Sequence, residues 1–116
     1  MEYFKDKFSF DDRLQESIRI IAQYPNRIPV IIEKSKISCD IPNIDKIKYL
    51  VPKDITYGYL YYIIRNRLKL SQDKAIFLFC NNIIPNNSQL IETVYNNNKD
   101  KDGFLYITYS GENTFG

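Results

Sequence analysis

Phe104-Leu105-Tyr106-Ile107-Thr108-Tyr109, followed by Ser110-Gly111-Glu112-Asn113-Thr114-Phe115-Gly116, is the stretch whose reading decides the fold. Its first half is dense in aromatic and β-branched side chains, which favour a pleated strand. The apolar run is continuous, and that predicts a strand flanked on both edges by neighbours. The second half has little to bury, so it is expected to leave the body as a flexible tail, residues 111–116. A terminal Phe115-Gly116 is either an ordinary chain end or a reactive one. Glycine suits the second role because a residue without Cβ passes through a narrow enzyme channel.

Working outward, 116 residues with ten Tyr and seven Phe are enough for one domain with one modest core. The formal charge of +2 is too small for bulk attraction to nucleic acid, though a local basic patch remains compatible with it. Cys39 and Cys80 form no C-x-x-C pair and read as reduced thiols of a cytosolic protein. The chain contains no His, so the commonest general base and metal ligand is missing. Without a glycine-rich phosphate loop or paired ligand spacing, neither an enzyme, a metal site nor a cofactor is expected. Cys80 lacks a companion base and is not read as a nucleophile. There is also no apolar run of the ~20 residues a membrane helix needs, so membrane attachment has to be added or borrowed.

From the N terminus, residues 1–8 predict a short helix or turn. Ser9-Phe10-Asp11-Asp12 marks a helix start, with a capping hydroxyl and acids in the first turn. Leu14, Ser17, Ile18, Ile21 and Ala22 recur at helical spacing and predict the inward face up to Tyr24. Ile20 falls roughly 120° from that face at about 100° per residue, either as a lone exposed apolar residue or as the wall of a surface pocket. Pro25 ends the helix.

Arg27 to Lys34 reads as a first strand, with Pro29 requiring an unpaired edge at that point. Ser35 to Ile44 is a connection. Ile47-Lys48-Tyr49-Leu50-Val51, closed by Pro52, is a second strand. Its alternation sends Lys46, Lys48 and Leu50 to one side and Ile47, Tyr49 and Val51 to the other. Lysines beside a terminating proline mark it as an edge strand.

Thr56 caps a helix through about Leu68, with Tyr57, Leu60, Ile64 and Leu68 on one face and Arg65 and Arg67 at its negative pole. Ala75 to Cys80 is a third strand, Asn81-Asn82 a turn, and Ser88 to about Tyr95 a short helix using Leu90, Ile91 and Val94. The order is helix, helix, β, β, α, β, short α, β. It predicts an α+β fold: a ubiquitin-like β-grasp with a mixed four-stranded sheet and two additional N-terminal helices. The expected division within this single domain is an N-terminal helical subdomain (1–25), a core (26–110) and the tail.

Three segments resemble the GABARAP-type autophagy modifiers. They are Tyr24-Pro25-Asn26-Arg27-Ile28-Pro29-Val30; Ile44-Asp45-Lys46 with Lys48-Tyr49-Leu50-Val51-Pro52; and Lys99-Asp100-Lys101-Asp102-Gly103-Phe104-Leu105-Tyr106 through Phe115-Gly116. The resemblance covers nearly the whole chain. It implies conjugation through Gly116 to phosphatidylethanolamine on autophagosomal membranes, with Phe115 as an apolar handle for tail recognition. The implied partners are a processing and deconjugating cysteine protease, activating and conjugating enzymes, and cargo receptors. The implied location is the cytoplasm, and the autophagosomal or vacuolar membrane once lipidated. The Ser35–Asp40 loop is slightly longer than in the family. The Asn-rich stretches and the tyrosine-rich central helix are peculiar to this chain and put its peptide preference in question.

An extended peptide added to the Lys46–Pro52 edge would gain backbone hydrogen bonds, leaving specificity to side-chain pockets. Carried over by position, the resemblance implies a first pocket of Glu16, Ile20, Pro29, Ile31, Lys48, Leu50 and Phe104. It implies a second of Tyr49, Val51, Pro52, Ile55, Leu60 and Ile63. The ligand expected is an aromatic residue, two others, then Leu, Ile or Val, often preceded by acids that meet Arg27, Lys46, Lys48 and Arg67. For Leu50, Leu60 and Phe104 the alternative is plain core packing. Phe77 and Phe79 resemble a second docking surface. A competing expectation is a β-grasp adaptor that binds partners or microtubules and is never conjugated.

Overall fold

The structure is a computed structural model that describes residues 3–38 and 40–111; Cys39, Phe115 and Gly116 lie outside them. In chain order the elements are α1 (Phe4–Lys7), α2 (Phe10–Gln23), β1 (Arg27–Lys34), β2 (Lys48–Pro52), α3 (Tyr57–Leu68), β3 (Phe77–Phe79), α4 (Ile91–Asn98) and β4 (Leu105–Ser110). The strands form one sheet in the order β2-β1-β4-β3. The pairs β1–β2 and β3–β4 are antiparallel, and β1–β4 is parallel. The apolar strand β4 is therefore central, with a partner on each side, and β2 is an edge strand.

Alternation along β4 divides the core in two. Leu105, Ile107 and Tyr109 join Val30, Ile32 and the α3 face of Tyr57, Leu60, Ile64 and Leu68 in the larger cluster. On the opposite face, Ile20, Ile31 and Phe104 pack with Phe4, and Ile47, Leu50 and Tyr106 lean against them. The helix α3 begins as the sequence predicts, with the Thr56 hydroxyl accepting the Tyr59 N–H at 3.1 Å. The loop after β1 is stapled from beneath by Tyr109, whose hydroxyl donates to the Pro42 carbonyl at 2.9 Å and accepts the Ile44 N–H at 2.8 Å.

Several expectations are corrected. The buried residues of α2 are Arg13, Ser17 and Ile20, whereas Ile18 is 52 % and Ile21 41 % exposed and Leu14 is half-buried and Ala22 exposed. The cause is polar. Arg13 Nε donates to Asp102 Oδ2 at 2.9 Å, and the Ser17 hydroxyl donates to the Asp102 carbonyl at 2.6 Å. These two bonds fix the rotation of the helix, and Ile20 follows them inward at i+7 from Arg13.

The regular strand β2 starts at Lys48, so alternation does not extend back to Ile47. That residue packs beside Leu50, not beside Tyr49 and Val51. The third strand is only Phe77–Phe79. The short helix α4 starts at Ile91, because Leu90 is held in a bridge with Thr56 and stands 42 % exposed. Asn81 and Asn82 turn with φ of 50° and 65°, the left-handed pair that a tight hairpin requires.

Candidate functional site at the β2 edge

The ladder register decides which backbone groups of β2 face outward. Ile32 N–H bonds the Ile47 carbonyl at 2.8 Å, and Lys53 N–H bonds the Asn26 carbonyl at 3.1 Å. In an antiparallel pair, bonded and non-bonded residue pairs alternate. Tyr49 and Val51 therefore turn their backbone groups toward β1, while Lys48 and Leu50, opposite Ile31 and Pro29, turn theirs to the open edge. Pro29 has no N–H to lose, and it stands one residue before the parallel ladder with β4 begins at Val30. The outward Leu50 carbonyl accepts from the Arg27 guanidinium at 3.1 Å.

On one side of this edge, β2 faces α2. Ile31 and Phe104 are fully buried, and Ile20 is 8 % exposed. Together they make a floor against which Leu50 is half-buried. Pro29 is buried, directly opposite Leu50. Glu16 on α2 and Lys48 on β2 form an ion pair that joins the two walls. The structure thus brings together every residue assigned to the first pocket. Ile20 packs with Ile31 and Phe104 and is not a lone exposed residue. Sequence reasoning missed Phe4, whose ring meets Phe104 edge-on at 5.2 Å between centroids. An aromatic among the charged residues of 1–8 was the available signal.

On the other side, β2 faces α3. Val51 and Leu60 are buried in the larger cluster, with Tyr49 and Ile55 packed against it. Pro52 and Ile63 are half-buried. Lys46 Nζ and Arg67 Cζ lie 5.3 and 5.7 Å from the centroid of the Tyr49 ring. Arg67 Nε also bonds Asp45 Oδ1 at 2.8 Å, so a chain carboxylate already occupies the basic rim. The Tyr49 hydroxyl is buried without a hydrogen-bond partner among the described residues. Burial pushes its pKa up to about 12, with Arg67 pulling it part of the way back.

Leu60 and Phe104 are 1 % and 0 % exposed, which is the core packing that was the alternative for them, whereas Leu50 retains exposure. Phe77 is half-buried and Phe79 buried. Both share their sheet face with Thr108 and Ser110, their partners in the register. Cys80 is fully buried and free. Burial lifts its thiol to about 11, which the hydrogen bond with Tyr57 only partly offsets. Among the described residues no group of His, Cys, Asp and Glu could hold a metal, and no helix is long and apolar enough to cross a membrane.

Comparison with known proteins bears on this arrangement. A family model described as "Autophagy protein Atg8 ubiquitin like" matches residues 12–116. Autophagy-related protein 8 of Schizosaccharomyces pombe is 59 % identical over 113 residues, which are 97 % of this chain and 93 % of that protein. Autophagy-related protein 8e of Arabidopsis thaliana is 57 % identical over 113 residues, covering 97 % of this chain and 92 % of that protein. Among solved structures, Plasmodium falciparum Atg8 in complex with a P. falciparum Atg3 peptide superposes with a TM-score of 0.92. It is 36 % identical, and the match covers 99 % of this chain and all of that one. With the β-grasp sheet, the two helices before it and the open β2 margin in place, the chain belongs to the Atg8 family of ubiquitin-like autophagy proteins.

Proposed function

We propose that this Atg8-family chain is a reversible membrane tag and peptide scaffold. Gly116 is joined to the amine of phosphatidylethanolamine, and the β2 edge captures aromatic-x-x-aliphatic segments of cargo receptors and autophagy machinery. The observation that carries the recognition half is the outward-facing backbone of Lys48 and Leu50, set between two groups of apolar side chains. Residues three apart in an extended peptide point to opposite faces. The aromatic residue then lies over Ile20, Ile31, Leu50 and Phe104, and the aliphatic one over Tyr49, Val51, Ile55 and Ile63. Acids before the motif meet Lys46, Lys48, Arg27 and Arg67. Those charges tune association rate and salt dependence more than affinity.

In the conjugation half the protein is the acyl donor, not the catalyst. An activating enzyme adenylates the Gly116 carboxylate and takes it as a thioester, and a conjugating enzyme passes it to the lipid amine. A cysteine protease trims any extension and later cleaves the adduct. The Atg3 peptide on the Plasmodium relative supports a conjugating-enzyme partner of that kind. Two acyl chains make a stable anchor where one is marginal, so lipidation moves the protein from cytoplasm to autophagosomal membrane. Reconstituted coupling to phosphatidylethanolamine vesicles tests this half. Wild type forms the lipid adduct and Gly116→Ala does not; equal adduct from both would leave the unconjugated adaptor as the correct reading.

A further inference from the structure

The end of β4 runs past its neighbours in the sheet. Its last pair with β1 is Lys34 with Tyr109, and its last with β3 is Phe77 with Ser110. Ser35 N–H still reaches the Tyr109 carbonyl at 2.8 Å. Beyond that bond β1 turns away, and a side chain takes over from its backbone. A turn in which Ser38 N–H bonds the Ser35 carbonyl at 3.3 Å brings Ser38 back toward β4. Its hydroxyl lies 2.8 Å from the Ser110 hydroxyl and accepts the Gly111 N–H, also at 2.8 Å. Ser38 is 3 % and Ser110 0 % exposed, so the hydroxyl pair is shielded from competing water. The same loop then crowds Gly111. A Cβ there would stand 3.2 Å from Asp40 Oδ1 and 3.6 Å from Ile41 Cγ2, and any larger residue would press on the loop.

This clamp stands where the reach of the reactive end is set. Residues 112–116 follow Gly111, and at ~3.6 Å each they keep the Gly116 carboxylate within roughly 18 Å of it. Ordering a chain at its root lowers the cost of bringing its end to a fixed target. A span of set length also tolerates little shortening. Opening the Ser38 contact moves the root back to Ser110, which β3 still pairs. That adds one residue, about 3.6 Å, of reach.

We propose that Ser38 is a positioning residue for the coupling of Gly116. Its hydroxyl pins the root of the C-terminal segment at Gly111 and so sets how far, and in which direction, the reactive carboxylate is delivered. It touches neither the acyl group nor the lipid amine. The positioning role rests on the conjugation reading above; the clamp itself does not.

Two measurements on the full-length protein provide the test: amide exchange by NMR, and the initial rate of reconstituted coupling to phosphatidylethanolamine vesicles. The Gly111 amide should be protected in wild type, and Ser38→Ala should speed its exchange about tenfold, the worth of one hydrogen bond. Ser38→Ala should couple roughly threefold more slowly than wild type, with an unchanged KM for the activating enzyme, because the folded body that docks is the same. Deleting Asn113 separates positioning from plain packing. Wild type should then lose at least ~tenfold in rate, as displacement at a reacting centre does. Ser38→Ala, with one residue of slack to offset the one removed, should lose less than about threefold. Ser38→Thr, which keeps the hydroxyl, should track wild type at both lengths. Equal losses on shortening in wild type and Ser38→Ala would make Ser38 a packing residue and overturn the proposal. So would an unprotected Gly111 amide in wild type, a result that needs no variant to fold. Wild type that forms no adduct would sink the conjugation reading and the positioning role with it, while Gly111 exchange would still show whether the clamp exists.

Discussion

Arg13 Nε lies 2.9 Å from Asp102 Oδ2, and the two side chains, on α2 and just before β4, are almost wholly removed from solvent. Asp102 also accepts from Tyr106 Oη at 2.5 Å and from the Phe104 N–H at 2.9 Å. Arg13 is satisfied on its other side by the Lys5 and Phe8 carbonyls. This network fastens the N-terminal helices to the central strand and so places Ile20 and Glu16 beside β2. Removing one partner of a buried pair leaves the other charge uncompensated and costs about 3–5 kcal/mol. Asp102→Asn is expected to lose stability on that scale in urea unfolding and to weaken the aromatic anchor of a bound peptide. Unchanged stability would show that the apolar contacts alone hold α2.

Gly103 sits at φ +89°, and a Cβ built there would lie 2.3 Å from Ser17 Oγ. Gly103→Ala therefore meets both a left-handed backbone and a side chain that anchors α2. A loss of about 1–3 kcal/mol is expected, together with amide shift changes along α2 that Ser17→Gly partly reverses.

Tyr49→Phe runs the other way. The hydroxyl it deletes is buried and has no hydrogen-bond partner among the described residues, and freeing a fold of such a group is worth about 1 kcal/mol. The same substitution removes an alkaline liability. The Tyr49 phenol titrates at about 12 in the fold against an ordinary value of 10.0. Its contribution is thus intact below 10.0 and lost as pH rises through about 12. Wild type should lose stability across that window more steeply than Tyr49→Phe. Parallel curves would place the hydroxyl in contact with solvent.

At the acid end the Lys5–Asp100 pair should matter. Burial by itself would raise the Asp100 pKa, but the Lys5 hydrogen bond and charge bring it below its ordinary 3.8. The stability it lends is fully present above 3.8 and disappears as pH falls through the lower folded value. Lys5→Met should flatten this part of the stability–pH curve. The pair is exposed, so the effect at neutral pH is small.

The sequence carried the elements whose order rests on local signals. Thr56 and the Tyr57–Leu60–Ile64–Leu68 face were legible because capping and apolar period agree there. Lys48 beside Pro52 announced the edge strand. The rotation of α2 was not legible, because Arg13 and Ser17 are held by Asp102 from 89 and 85 positions away; apolar spacing favoured Ile18 and Ile21 instead. Asp45 on the basic rim was hidden in the same way, since its partner Arg67 stands 22 positions along the chain.

For the pockets, truncation should separate floor from wall. Tyr49→Ala with Leu50→Ala is expected to weaken an aromatic-x-x-Leu peptide by at least ~2 kcal/mol while the fold persists, since both residues are only half-buried. Phe104→Ala, at a fully buried position, should instead cost about 3–5 kcal/mol of stability. Calorimetry alongside urea unfolding reads both effects.

Amide hydrogen exchange across β2, with and without such a peptide, tests the central claim most directly. The Lys48 and Leu50 amides, which point to the open edge, should slow sharply on binding, while those of Tyr49 and Val51, already bonded toward β1, should not change. A bound peptide that leaves Lys48 and Leu50 exchanging as in the free protein would contradict the account.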